Sequence, residues 1–249
     1  PSPLTHKSSM FALIAGIYSS TIPPPLVFLF LGLDNSGKTS ALESLKVLHK
    51  APGPSIPLNL IRPTMGVNNA TFAINGRSLT VYDPAGRIEG RRMWGGYYKE
   101  SHGILFVVEG LSEASTGARL EEVRGRRRVQ HKQNKTSNSH KYMFHKYDNN
   151  NDNNNSQSQL VFSTVSASVP NKPIAIFVNC PDLERRSEIG KLVTEYFRVS
   201  FYEGRVKVFL GDVISGYEGK KEGAGEAIDW LVKMEALGMF NDGDDERPK

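Results

Sequence analysis

The sequence predicts an α/β fold, a three-layer sandwich with a mostly parallel sheet of about six strands and helices on both faces. Three observations predict it. The apolar stretch Leu26 to Leu31 runs into Gly32-Leu33-Asp34-Asn35-Ser36-Gly37-Lys38-Thr39, and then into a segment with apolar residues three and four apart. Gly103 to Glu109 and Lys172 to Asn179 are near-continuous apolar runs, the pattern of strands buried on both faces. Stretches of helical periodicity alternate with these runs.

The elements follow in order. Leu26 to Leu31 reads as the first strand and Ser40 to Leu48 as the first helix. Residues 51–57 carry Pro52, Pro54 and Pro57 and must be loop. Ala70 to Ile74 and Ser78 to Tyr82 read as two short strands around Asn75-Gly76, a strong hairpin signal. Asp83-Pro84-Ala85-Gly86 ends the second of them. After the strand Gly103 to Glu109, Thr116 to Val129 reads as a helix that turns basic. Glu184 to Arg198 and Ala224 to Leu237 read as helices, with the strand Val206 to Leu210 between them.

Residues 26–239 therefore form one domain. Residues 1–25 read as a poorly ordered N-terminal extension and residues 240–249 as an acidic, solvated tail. Residues 130–169 read as a low-complexity insertion, unstructured or foreign to the mature chain, because Asn149 to Asn155 is nearly all Asn and Ser and Gln follow. Composition narrows the function. The net charge of +5 suggests nucleic acid, but residues 124–159 hold eight Lys or Arg against two Asp, and the remainder sums to −1. The basicity belongs to one segment with little aromatic interleaving, so no nucleic-acid partner is expected. The single cysteine, Cys180, excludes an intramolecular disulfide and points to a reducing compartment. Met10 to Tyr18 is apolar but shorter than the ~20 residues of a spanning helix.

Strand, Gly-x-x-x-x-Gly-Lys-Thr, helix is the context of a phosphate-binding loop. Its glycines let the backbone N–H groups of residues 34–40 turn toward a phosphate, and the helix N-terminus adds partial positive charge. This assigns Asp34, Asn35, Ser36, Gly37, Lys38, Thr39 and Ser40 to nucleotide binding, with Lys38 reaching the β- and γ-phosphates. The Thr39 hydroxyl would ligate Mg2+. Three later stretches complete the set. Thr64 lies on a loop after the first helix, where its hydroxyl would reach the same ion. Asp83 would hold the ion through water, and the Gly86 N–H would meet the γ-phosphate. Asn179-Cys180-Pro181-Asp182 follows a buried strand, where Asp182 would accept from guanine. The architecture is that of a P-loop NTPase. No acceptor site or lid of a kinase is legible.

On these residues the chain resembles the Arf and Arf-like small GTPases. Gly32 to Thr39, with Asp34, has the form of that branch's loop, and Pro63-Thr64-Met65-Gly66-Val67-Asn68 is similar to its first switch. Within the branch it resembles the ciliary Arf-like protein 13 subfamily. The carriers are Gly90 to Trp94, Tyr97 to Ser101, Gly103 to Val108, Ile214 to Tyr217, and Met10 to Ala15 near the start. The likeness covers about residues 26–124 and 171–235. It implies a GTP/GDP-binding, Mg2+-dependent switch, expected to be a monomer. It also implies work on the cytoplasmic face of a membrane, in the cilium, with exchange on another Arf-like protein as one output. Effectors would meet Val67, Tyr82 and Tyr97, with Trp94 nearby and expected to pack inward. Membrane association would rest on the short apolar N-terminus, since Ala15 to Ser19 stands where the subfamily carries palmitoylated cysteines.

The departures bear on chemistry. Arg87 stands at the position of the water-orienting Gln. It carries donors only, so the expectation is slow hydrolysis, with an arginine finger in cis as the alternative. Cys180 replaces the Lys whose stem covers guanine, and Asp212-Val213 replaces a Ser-Ala pair, leaving the Val213 N–H to face the base. A fold that binds partners without nucleotide switching is the second reading.

Overall fold

A computed structural model of the chain describes residues 24–109 and 157–238. The elements are β1 (Leu26–Leu31), α1 (Lys38–Leu48), β2 (Val67–Ile74), β3 (Arg77–Pro84), two single turns α2 (Ile88–Arg91) and α3 (Gly95–Tyr98), and β4 (Gly103–Glu109). Then follow α4 (Gln157–Ser168), β5 (Ile174–Asn179), α5 (Arg186–Tyr196), β6 (Val206–Gly211), α6 (Val213–Tyr217) and α7 (Ala224–Ala236). The six strands form one sheet in the order β2-β3-β1-β4-β5-β6. Only the β2–β3 pair is antiparallel.

Alternation along each central strand builds the three layers. Phe28 and Phe30 of β1, Leu105 and Val107 of β4, and Ala175 and Phe177 of β5 point to one face. There they meet Leu42 and Leu45 of α1 and Ile228 and Leu231 of α7. Leu29, Ile104, Phe106, Ile174 and Ile176 point to the other, under Phe162, Ile189, Val193 and Trp94. Burial on both faces explains why these strands read as unbroken apolar runs. The β2–β3 turn takes positive φ at Asn75 and Gly76, as a two-residue hairpin requires. Its far side is tied to α7, where the Arg77 guanidinium pairs with both carboxylate oxygens of Glu235.

One reading needs correction. Residues 157–168, inside the stretch expected to be unstructured, form α4. Phe162, Val165 and Val169 fall three and four apart, and all three are buried. Phe162 stacks edge-on against Phe106, Phe197 and Tyr202 at 5.3, 4.8 and 5.7 Å. Three apolar residues on one stripe are enough to fold a Ser- and Thr-rich helix onto the sheet, although its composition resembles a linker. Residues 110–156, including the helix expected at Thr116 to Val129 and the Asn run, lie outside the described residues, as do the N-terminal extension and the tail. Phe162→Ala should cost about 3–5 kcal/mol in urea unfolding. A cost below ~1 kcal/mol would show that α4 does not belong to the core.

Candidate phosphate and cation site

The parallel pairing of β1 with β3 brings their C-terminal ends side by side, with Leu29 opposite Tyr82. The loop after β1 and the loop after β3 therefore meet. Gly32 has φ +146°, and a Cβ on it would stand 2.3 Å from the Val107 carbonyl oxygen, so only glycine fits. Gly86 closes the other side. A Cβ there would lie 2.5 Å from Lys38 Nζ and 2.7 Å from the Leu33 carbonyl carbon.

Lys38 opens α1 and is only 6% exposed. Its ammonium donates to the Leu33 carbonyl at 2.7 Å. Burial pushes its pKa down, while Asp83 and Asp34 pull it back up. The Thr39 hydroxyl donates to Asp83 Oδ2 at 2.6 Å and lies 3.0 Å from the Thr64 hydroxyl. Three oxygens from three segments thus converge. Asn68, opposite Asp83 in the β2–β3 register, donates to Thr64 Oγ1 at 3.0 Å and to Asp83 Oδ2 at 3.3 Å. Asp83 is 0% exposed, and its Oδ1 has no hydrogen-bond partner. Burial raises its pKa against the Thr39 hydrogen bond and the Lys38 charge. A buried carboxylate oxygen without a donor, beside two hydroxyls, is a hard-oxygen set that fits Mg2+. The buried Ser36 hydroxyl also lacks a partner.

A cleft of about 210 Å3 opens over these groups, and Asp34, Asn35, Gly37, Lys38, Thr39, Ser40, Thr64 and Gly86 line it. Arg87 sits at its rim, with Nε 3.6 Å from Asp34 Oδ2 and side-chain exposures of 45% and 36%. Arg91 donates to the Gly86 carbonyl at 2.9 Å. Asn68 and Arg91 were not singled out from sequence. For Asn68 the signal was its place at the end of Pro63 to Asn68, directly across the hairpin from Asp83.

The base-side residues are gathered by β5 and β6. Asn179 ends β5, and its Oδ1 accepts the Val213 N–H at 3.2 Å. That N–H is therefore engaged by protein here. Asp182 Oδ1 accepts from the N–H groups of Glu184 and Arg185 at 3.1 and 3.2 Å, holding the turn into α5. Cys180 is fully buried against Val178 and Ile189, and its thiol donates to the Asp182 carbonyl at 3.5 Å. Asp212 caps α6 by accepting the Ile214 N–H at 3.0 Å, so it orders this loop.

On the switch side, Trp94 is buried as expected, with Nε1 donating to the Ala85 carbonyl at 3.1 Å. The Tyr82 and Tyr97 rings lie 5.1 Å apart, and Val67, Tyr82 and Tyr97 are all half-buried. Met65 and Ile88, 83% and 64% exposed, extend that surface.

Comparison with known proteins agrees with this arrangement. Residues 25–234 match the ADP-ribosylation factor family. The ADP-ribosylation factor-like protein 3 of Saccharomyces cerevisiae is 39% identical over 114 residues, 43% of this chain and 57% of that protein. The ADP-ribosylation factor-related protein 1 of Bos taurus is 27% identical over 225 residues, 90% of this chain and 92% of that protein. The solved structure of the Arl6 BBS3 small GTPase from Trypanosoma brucei, with bound nucleotide analogue GppNp, gives a TM-score of 0.47 at 19% identity. It covers 86% of this chain and 99% of that one.

The phosphate half of the site can be tested without a base. Pyrophosphate with Mg2+ should raise the unfolding temperature of the wild-type chain by about 3 °C or more and leave Lys38→Ala unmoved. Equal shifts in both would contradict the geometry.

Proposed function

Because the chain belongs to the ADP-ribosylation factor family, we propose that it is an Arf-like molecular switch that binds GTP and GDP with Mg2+ and hydrolyses GTP slowly. The observation that carries this reading is the convergence of Thr39, Thr64 and the buried Asp83 beside Lys38. Lys38 and the backbone of residues 34–40 hold the phosphates. The hydroxyls of Thr39 and Thr64 ligate the cation, and Asp83 holds it through water. The Gly86 N–H meets the terminal phosphate. A bound Mg2+ neutralises phosphate charge and links Thr64 to the nucleotide state. Asn179, Asp182 and the Val213 N–H face the base, which requires Val213 to exchange its bond to Asn179 for one to guanine.

Slow hydrolysis follows from Arg87. A guanidinium cannot accept a hydrogen bond from an attacking water, and this one already faces the Asp34 carboxylate. The output is a protein contact across Val67, Tyr82 and Tyr97, widened by Met65 and Ile88. Gly90 to Trp94, Tyr97 to Ser101 and Ile214 to Tyr217 support a finer placement in the ciliary Arf-like protein 13 subfamily. That placement assigns a monomer on the cytoplasmic face of the ciliary membrane, acting in trafficking or as exchange factor for another Arf-like protein.

A second reading has its own observations. The buried Cys180 supplies no alkyl stem over a base, and the Val213 N–H is already satisfied, which favours a scaffold that keeps the fold and ignores nucleotide. Competition binding with labelled GTP against unlabelled GTP and ATP separates the two. The switch reading expects saturable, Mg2+-dependent GTP binding, with modest preference over ATP that Cys180→Lys increases. No GTP binding at micromolar protein would leave the scaffold.

A further inference from the structure

Residues 51–63 join α1 to Thr64, and their middle is clasped from two sides. From α1, the buried Glu43 accepts the Ile56 N–H at 2.7 Å. The Lys46 ammonium donates to both Glu43 oxygens at 2.9 and 2.8 Å, and to the Pro54 carbonyl at 3.1 Å. From α6, the Tyr217 hydroxyl donates to the Ile56 carbonyl at 2.7 Å. Both backbone polar groups of Ile56 are thus taken by side chains of two different helices. Burial raises the Tyr217 pKa to about 12, so the phenol remains a donor at neutral pH.

The two helices are themselves locked together. Gly216 packs so closely on α1 that a Cβ there would stand 2.1 Å from Ser44 Oγ. Beyond Ile56 the chain is stiff. Pro57, the 3-10 turn Leu58–Leu60 and Pro63 leave little freedom before Thr64. Leu58 packs on the core. Fixing Ile56 therefore limits where the Thr64 hydroxyl can lie.

We infer that Tyr217 is a positioning residue for the cation site: it fastens the chain bearing Thr64 to the helix that begins at Val213, and so joins the base side of the cleft to its metal side. The inference rests on the Mg2+–nucleotide reading above. Without the hydroxyl, the Ile56 carbonyl turns to water, and Thr64 leaves its place more often. Because Tyr217 acts through Thr64, the effect requires the metal.

The full chain is loaded with a fluorescent GppNHp, and release into excess unlabelled nucleotide is followed with Mg2+ and with EDTA. Tyr217→Phe, which keeps the ring, should release about fivefold faster than wild type in Mg2+ and at the wild-type rate in EDTA. Glu43→Gln, which weakens the other side of the clasp, should show the same pattern. In a Thr64→Ala background Tyr217→Phe should add nothing. Equal acceleration in both buffers marks a general loosening of the fold and overturns the inference, as does no change in Mg2+. A wild-type chain that takes up no nucleotide overturns the nucleotide reading itself, a separate and recognisable failure.

Discussion

The hydrogen bond from the Thr39 hydroxyl to Asp83 Oδ2, 2.6 Å long and spanning 44 positions of sequence, is the contact on which the site depends. It needs β1 and β3 to run parallel and adjacent, so that the loop after one meets the end of the other. It needs Gly86 to pass the ammonium of Lys38 without a side chain. It also needs a carboxylate to tolerate complete burial with one oxygen unpartnered. Such a group is costly to keep charged, and burial raises its pKa. A cation at the cleft removes that cost, which is why the orphaned oxygen is an argument about ligand and not a packing defect.

The two halves of the cleft differ in how complete they are. On the phosphate side, every side chain that the chemistry requires is present and lies within hydrogen-bond reach of another. On the base side, the groups already satisfy each other. Val213 donates to Asn179, and Asp182 holds the turn into α5 with one oxygen. Guanine must displace the first of these bonds to gain the Val213 donor. With no alkyl stem at Cys180 to add contact, base binding contributes less than phosphate and metal binding. Arg87 adds a third asymmetry, since a cation paired with Asp34 supports holding a charged nucleotide more readily than activating water.

Much of this was legible in the residues alone, and the reasons are physical. Strands buried on both faces leave continuous apolar runs, so β1, β4 and β5 stand out. The Asn75-Gly76 turn announces its hairpin through the positive φ that few other pairs adopt. The phosphate loop declares itself because close approach of backbone to a ligand demands glycine at fixed spacing. α4 was hidden because Phe162, Val165 and Val169 are scattered among serines and follow an Asn run, so composition outweighed a three-residue stripe. The roles of Asn68, Glu43 and Tyr217 were hidden for a different reason. Each acts across 13 to 161 positions of sequence, on partners that only the strand order and the helix docking bring near. Asp212 shows the limit of reasoning from replacement alone: an acidic residue at a base loop reads as a disturbance, but here it caps the next helix.

The central claim is that the site holds a nucleotide more readily than it turns it over. Single-turnover hydrolysis of γ-labelled GTP, bound to the full chain with Mg2+, tests it most directly when wild type is run beside Arg87→Gln. The account predicts that wild type retains its label long after Arg87→Gln has released phosphate. Hydrolysis by wild type as fast as, or faster than, the glutamine variant would contradict it and assign Arg87 to transition-state charge.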